Sequence, residues 1–83
     1  MSDIGYGRLR SLSARRLVSA LLRDGFLLDQ RSGAHRQYRH PGGRRVTVSF
    51  HRAGQTFSPK ILRIMIELQA RWTGEDLRRL GLW

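Results

Sequence analysis

Three histidines, His35, His40 and His51, are the groups in this 83-residue chain able to move protons near neutrality, since it has no cysteine and no pair of carboxylates spaced for acid-base work. Strand alternation separates them. If His35 opens a strand, then His35, Gln37 and Arg39 share one face, while Arg36, Tyr38 and His40 share the other. Further on, Val46, Val48 and Phe50 point one way and Arg45, Thr47 and Ser49 the other, with His51 continuing the second set. A hairpin folded about Gly42 sets His40 opposite Arg44, and hence His35 opposite Ser49, with His51 one diagonal step away at about 7 to 8 Å. Tyr38 then meets Val46 on the core side. This register puts His35 and His51 on a wet sheet face beside Arg39 and Arg45.

Such a face suits the cleavage of RNA, which carries its own nucleophile in the 2′-hydroxyl. Histidine, with an unperturbed pKa of about 6.5, fits the proton transfer, and guanidinium forks fit the phosphate oxygens. No metal is expected: His35 and His51 lack an evident third ligand, His40 points away, and the nearest acids are Asp24 and Asp29. Against this stand plainer readings. A strand histidine is more often a surface or hydrogen-bonding residue than a catalyst, and Arg44-Arg45 after a turn is more often a solvated hairpin tip than a phosphate clamp. Trp72 and Trp83 read as helical packing, and Tyr38 as core.

The elements that hold this face follow from local pattern. Residues 1–12 show no sustained period and are expected to be partly irregular. From Ser13, a natural N-cap, the residues Ala14, Leu17, Val18, Leu21 and Leu22 recur at helical spacing until Gly25 supplies the left-handed stop. Phe26 to Arg31 reads as a strand, Ser32 to Ala34 as a tight turn and His35 to His40 as a second strand. Pro41-Gly42-Gly43 marks a hairpin, and Arg44 to Phe50 a third strand. Ser58 with Pro59 opens another helix, whose expected buried stripe is Ile61, Leu62, Met65 and Leu68. Thr73-Gly74-Glu75-Asp76 resembles a capping box and opens a short third helix, so residues 72–83 form a C-terminal helical extension. The order α-β-β-β-α-α predicts an α+β sandwich with a three-stranded antiparallel sheet, helices on one face and the other face open.

Composition narrows the partner. Sixteen Lys+Arg against six Asp+Glu give a formal charge of +10, and every basic residue except Lys60 is arginine. A surplus this large repels itself in the compact state, and a polyanion relieves that repulsion; nucleic acid is the leading candidate. At this length the chain reads as a single domain, 1–83, without room for a deep pocket beside its core, so its chemistry belongs on a surface. The best apolar run, Leu17 to Leu22, is too short to cross a bilayer, and no signal-peptide core is visible near Met1. No membrane partner is expected, and the lack of cysteine fits a cytoplasmic location.

The stretch Gly33-Ala34-His35, then Tyr38-Arg39-His40-Pro41-Gly42-Gly43-Arg44-Arg45-Val46-Thr47-Val48 and His51, resembles the HicA family of toxin mRNA interferases. Leu17 to Phe26, ending in Asp24-Gly25-Phe26, is similar to that family's first helix and its exit, and the likeness extends from about Ser13 to Leu82. The resemblance implies a double-stranded-RNA-binding-like (dsRBD-like) fold, metal-independent cleavage of mRNA, no cofactor, and neutralisation by a HicB-type antitoxin that covers the active site. The family's catalytic histidine falls on His35, the residue that alternation reaches separately. At three places the chain departs from the family's pattern. Ala34 replaces the usual serine, Ser49 stands where proline is common, and Lys60-Ile61 stand where Gly-Thr is common.

Two functions of different class follow. The first is a toxin endoribonuclease of a type II toxin-antitoxin system, with His35 as general acid/base, His51 as accessory, and Arg36, Arg39, Arg45 and Lys60 as RNA contacts. The second is a non-catalytic RNA-binding module that uses the same basic face for duplex shape. Duplex readers usually carry a lysine cluster at the start of their last helix, and Lys60 alone is a poor substitute, which favours the first.

Overall fold

The computed structural model describes residues 4–83, so the first three residues of the segment expected to be irregular lie outside it. The rest of that segment forms a 3-10 turn, Tyr6–Leu9, and sends Leu9 and Leu12 into the core. Helix α1 is Ala14–Arg23, with the Ser13 hydroxyl accepting from Arg16 N–H. It ends at Gly25, whose φ of 97° lies in the left-handed region, with Gly25 N–H on Leu22 O and Phe26 N–H on Leu21 O. Phe26 is therefore spent on the cap and fully buried, and strand β1 begins one residue later than expected, as Leu27–Ser32.

Strands β2, His35–Arg39, and β3, Arg45–Ser49, complete an antiparallel sheet of order β1-β2-β3. The β2–β3 register agrees with the one deduced from alternation: His35 pairs with Ser49, Tyr38 with Val46 and Arg39 with Arg45. The Pro41-Gly42-Gly43 turn leaves that parity intact, with His40 N–H bonded to Arg44 O. In β1 a bulge between Leu28 and Gln30 shifts the pairing by one residue. Leu27 thus lies opposite Arg39 on the open face, Leu28 opposite Tyr38 on the core side, and Gln30 opposite Gln37 on the open face again.

Helix α2, Pro59–Arg63, starts on Ser58, whose hydroxyl accepts from Ile61 N–H, and widens into a π-helical stretch, Ile64–Gln69. The wider turn changes which residues are buried. Leu62, Met65, Ile66 and Ala70 line the core, whereas Ile61 and Leu68, expected in the stripe, are exposed. Ala70 takes the place Leu68 would hold in a regular helix, because its N–H bonds to Met65 five residues back rather than four. Leu22, expected on the apolar stripe of α1, is likewise half exposed, and Ala20 is buried instead. Arg71 then enters the left-handed region at φ 58°, and Thr73 and Asp76 form a reciprocal capping box that opens α3, Gly74–Arg79.

The core gathers Leu17 and Leu21 of α1, Leu62, Met65 and Ile66 of α2, Leu77 of α3 and Tyr38, Val46 and Val48 of the sheet. Trp72 is buried there as expected, and the partly buried Trp83 packs against the core cluster. The result is the α+β sandwich anticipated, three antiparallel strands with helices on one side. Among the described residues no helix is long and apolar enough to cross a membrane.

Candidate active site

Three cross-strand rows make up the open face. Ser32, His35 and Ser49 form the first, Gln30, Gln37 and Thr47 the second, and Leu27, Arg39 and Arg45 the third. His35, Arg39 and Arg45 are exposed on it. His35 and Ser49, directly opposite, have their Cβ atoms within about 5 Å by strand geometry.

His51 stands just beyond the end of β3, and its Nε2 lies 3.1 Å from Ser49 Oγ. Ser49 therefore lies between the two histidines, opposite one and hydrogen-bonded to the other. The β3–α2 loop holds His51 through a residue that sequence reasoning did not single out. Gln55 Oε1 accepts from the backbone N–H of His51 at 2.6 Å and of Arg52 at 3.3 Å, while Gln55 Nε2 donates to Ser49 O at 2.6 Å. Ala14 N–H and Arg15 N–H bond Gln55 O and Ala53 O, which ties the loop to the start of α1. Nothing in the local pattern marks Gln55, because its role depends on a loop closing back on a strand end.

The remaining candidates divide. Arg36 faces the helix side, with its guanidinium 3.9 Å above the Phe50 ring, a cation-π contact that holds the end of β3 rather than a place beside His35. Lys60 is exposed in the first turn of α2, in the helix layer and not on the open face. The structure thus brings together His35, His51, Arg39 and Arg45, and leaves Arg36 and Lys60 apart from them.

His40 and Arg44 are structural. The His40 ring packs edge-on to Phe26, its Nδ1 accepts from Gly42 N–H at 3.0 Å, and its Nε2 lies 3.1 Å from Asp24 O. An amide N–H at Nδ1 requires the hydrogen on Nε2, which then donates to Asp24 O. A Cβ at Gly25 or Gly42 would lie 3.2 Å from this ring, so both glycines leave room for it. Arg44 is no solvated tip: its Nη1 donates to Ala70 O at 2.8 Å, it lies 3.6 Å from Asp24 Oδ2, and its guanidinium stacks near Phe26. Asp24 also receives Trp72 Nε1–H at 2.8 Å and an Arg79 N–H at 2.9 Å. Burial by itself would raise the Asp24 carboxyl, but the hydrogen bonds from Trp72 and Arg79 and the charges of Arg79 and Arg44 outweigh it and hold the group below its ordinary value. This polar knot fixes the β2–β3 turn against α1 and α3, and so fixes the arginine end of the open face.

Among the described residues no three His, Asp or Glu side chains gather into a metal-binding cluster. The chemistry on offer is proton transfer at one end of a polar strip and phosphate binding by two exposed guanidinium groups at the other.

The sequence model of the family described as HicA toxin of bacterial toxin-antitoxin matches residues 14–71, from the first residue of α1 to the left-handed Arg71. The match takes in the whole sheet, His35, His51 and the Asp24 knot except Trp72 and Arg79, and omits the Tyr6–Leu9 turn and α3. No individual curated protein matches the chain.

Proposed function

This chain belongs to the HicA toxin family of bacterial toxin-antitoxin systems, and from that premise we propose that it is an endoribonuclease that cuts mRNA with His35 as its general acid/base and without a metal ion. The observation that carries this reading is the constellation on the open face: His35 opposite Ser49, Ser49 bonded to His51, and Arg39 paired with Arg45 on the same side of the sheet. In the reaction, His35 takes the proton of a 2′-hydroxyl as that oxygen bonds to phosphorus. The P–O5′ bond breaks, and the leaving 5′-oxygen takes a proton back from His35 or from His51. The products are a 2′,3′-cyclic phosphate and a 5′-hydroxyl end. Arg39 and Arg45 bind phosphate oxygens, and their charge draws the polyanion to the face.

Family membership implies an antitoxin partner. A HicB-type antitoxin would silence the protein by covering the open face, and the cytoplasm, where mRNA lies, is the proposed location.

The test is a long single-stranded RNA incubated in excess EDTA with the parent protein and with His35→Ala, the products resolved on a denaturing gel. Cleavage by the parent alone, with 5′-hydroxyl ends, is the expected result. Cleavage of equal rate by both proteins would remove His35 from the mechanism, and intact RNA with both, retained in a salt-sensitive complex, would make the protein a binding module.

A further inference from the structure

The middle row of the open face, Gln30, Gln37 and Thr47, separates the histidine end from the arginine end and carries no charge, in a chain whose formal charge is +10. Neither phosphate attraction nor solubility calls for amides there. Gln37 sits at the centre, half-buried between Gln30 on β1 and Thr47 on β3. Among the described residues the side-chain amides of Gln30 and Gln37 have no hydrogen-bond partner, so their donors and acceptors are unspent. The row is fixed at the β3 margin of the sheet, where Thr47 N–H donates to Gln69 Oε1 at 3.1 Å.

Geometry says what would lie over this row. Neighbouring rows are two residues apart along a strand, about 7 Å, and His35 and Arg39 are four apart, about 13 Å. A single RNA strand with one phosphate at His35 and another on Arg39 and Arg45 must pass over Gln37, and the nucleotide between them has a base free to turn down onto the sheet. An amide presents a donor and an acceptor side by side, which matches the adjacent acceptor and donor on one edge of adenine.

We propose that Gln37, flanked by Gln30 and Thr47, forms a nucleobase subsite that reads one base of single-stranded RNA, adenine by its hydrogen-bonding pattern, between the His35 row and a phosphate held by Arg39 and Arg45. The inference rests on the RNA-cleavage reading for its ligand, yet it is tested without cleavage. A pool of short single-stranded RNAs of random sequence is passed over immobilised His35→Ala protein, over its Gln37→Leu derivative and over its Arg39→Ala derivative, and the retained molecules are sequenced. Expected is enrichment of one base at a fixed position, by about fivefold or more for a bidentate amide contact, in the His35→Ala protein. Gln37→Leu erases that enrichment, whereas Arg39→Ala lowers retention of all sequences alike. Enrichment of a base other than adenine that disappears with Gln37→Leu upholds the subsite and overturns its assignment to adenine. Equal enrichment with and without Gln37, or no enrichment in the His35→Ala protein, overturns it. Failure of the parent to cut RNA, by contrast, bears on the catalytic reading alone.

Discussion

Asp24 and His40 show how much of the polar chemistry in this chain serves the fold. Trp72 is 3% exposed and spends its indole N–H on Asp24, so Asp24→Ala leaves a buried donor without a partner. Its expected cost is about 2 kcal/mol, read as a drop in the urea midpoint of unfolding. The histidines at the two ends of β2, His35 within it and His40 just beyond it, should behave oppositely in the same measurement. His40→Ala removes the Nδ1 and Nε2 bonds and the edge contact with Phe26, for about 2 kcal/mol. His35→Ala, at an exposed strand position, should change stability by less than about 0.5 kcal/mol. A large loss of stability in His35→Ala would mean that its loss of cleavage could not be attributed to chemistry. Ser49 bears on the same site: its hydroxyl is the group that orients His51, at a position directly opposite His35.

Among the elements, the helix that follows the sheet carries the clearest strain. Arg71 adopts φ 58° so that Trp72 N–H can reach Ile66 O and end the π-helical stretch. A side chain in the left-handed region costs about 1 kcal/mol relative to glycine, so Arg71→Gly should raise the unfolding midpoint by an amount worth about 1 kcal/mol. The parts of the fold that the sequence reveals are those decided locally. Ser13 and Gly25 bound α1, Ser58 and Pro59 open α2, and the alternation of Val46, Val48 and Phe50 with the Pro41-Gly42-Gly43 turn fixes the β2–β3 register, and with it the pairing of His35 and Ser49. What stays hidden is decided by distant partners. The bulge at Asp29 puts Leu27 on the arginine row, the π-helical turn exchanges Leu68 for Ala70, Gln55 ties down His51, and Arg44 finds Ala70 O and Asp24. No pattern within a short window encodes any of these, because each is a fit between segments far apart in the chain. Arg36, by contrast, lies on the face where alternation places it, opposite that of His35, with its guanidinium over Phe50.

For the whole molecule, charge bears on stability and on the proposed binding of RNA. Asp24 is held below its ordinary value as described, and Asp76 likewise, chiefly because its carboxylate accepts from Thr73 N–H, with burial opposing and Arg79 adding to the shift. The unfolded chain takes up those protons near the usual value of about 3.9, above where the folded protein does. Stability from both groups is therefore complete above that value and is lost as the pH falls toward and through the lower folded values. Urea midpoints measured at pH 5 and pH 3 should drop at the lower pH, and Asp24→Asn combined with Asp76→Asn should flatten the difference. If the protein binds RNA as proposed, the logarithm of its binding constant should fall linearly with the logarithm of salt, with Arg39→Ala lessening that slope by about 0.7. The two margins of the sheet differ in a way that bears on how copies of the protein meet. On β3 the outward Thr47 N–H and Ser49 O are occupied by Gln69 and Gln55, while the outer edge of β1 has no hydrogen-bonded partner among the described residues. The β1 margin is therefore the one at which the strands of two copies would pair, a contact that closes on itself at two copies, while the capped groups on β3 hinder pairing there.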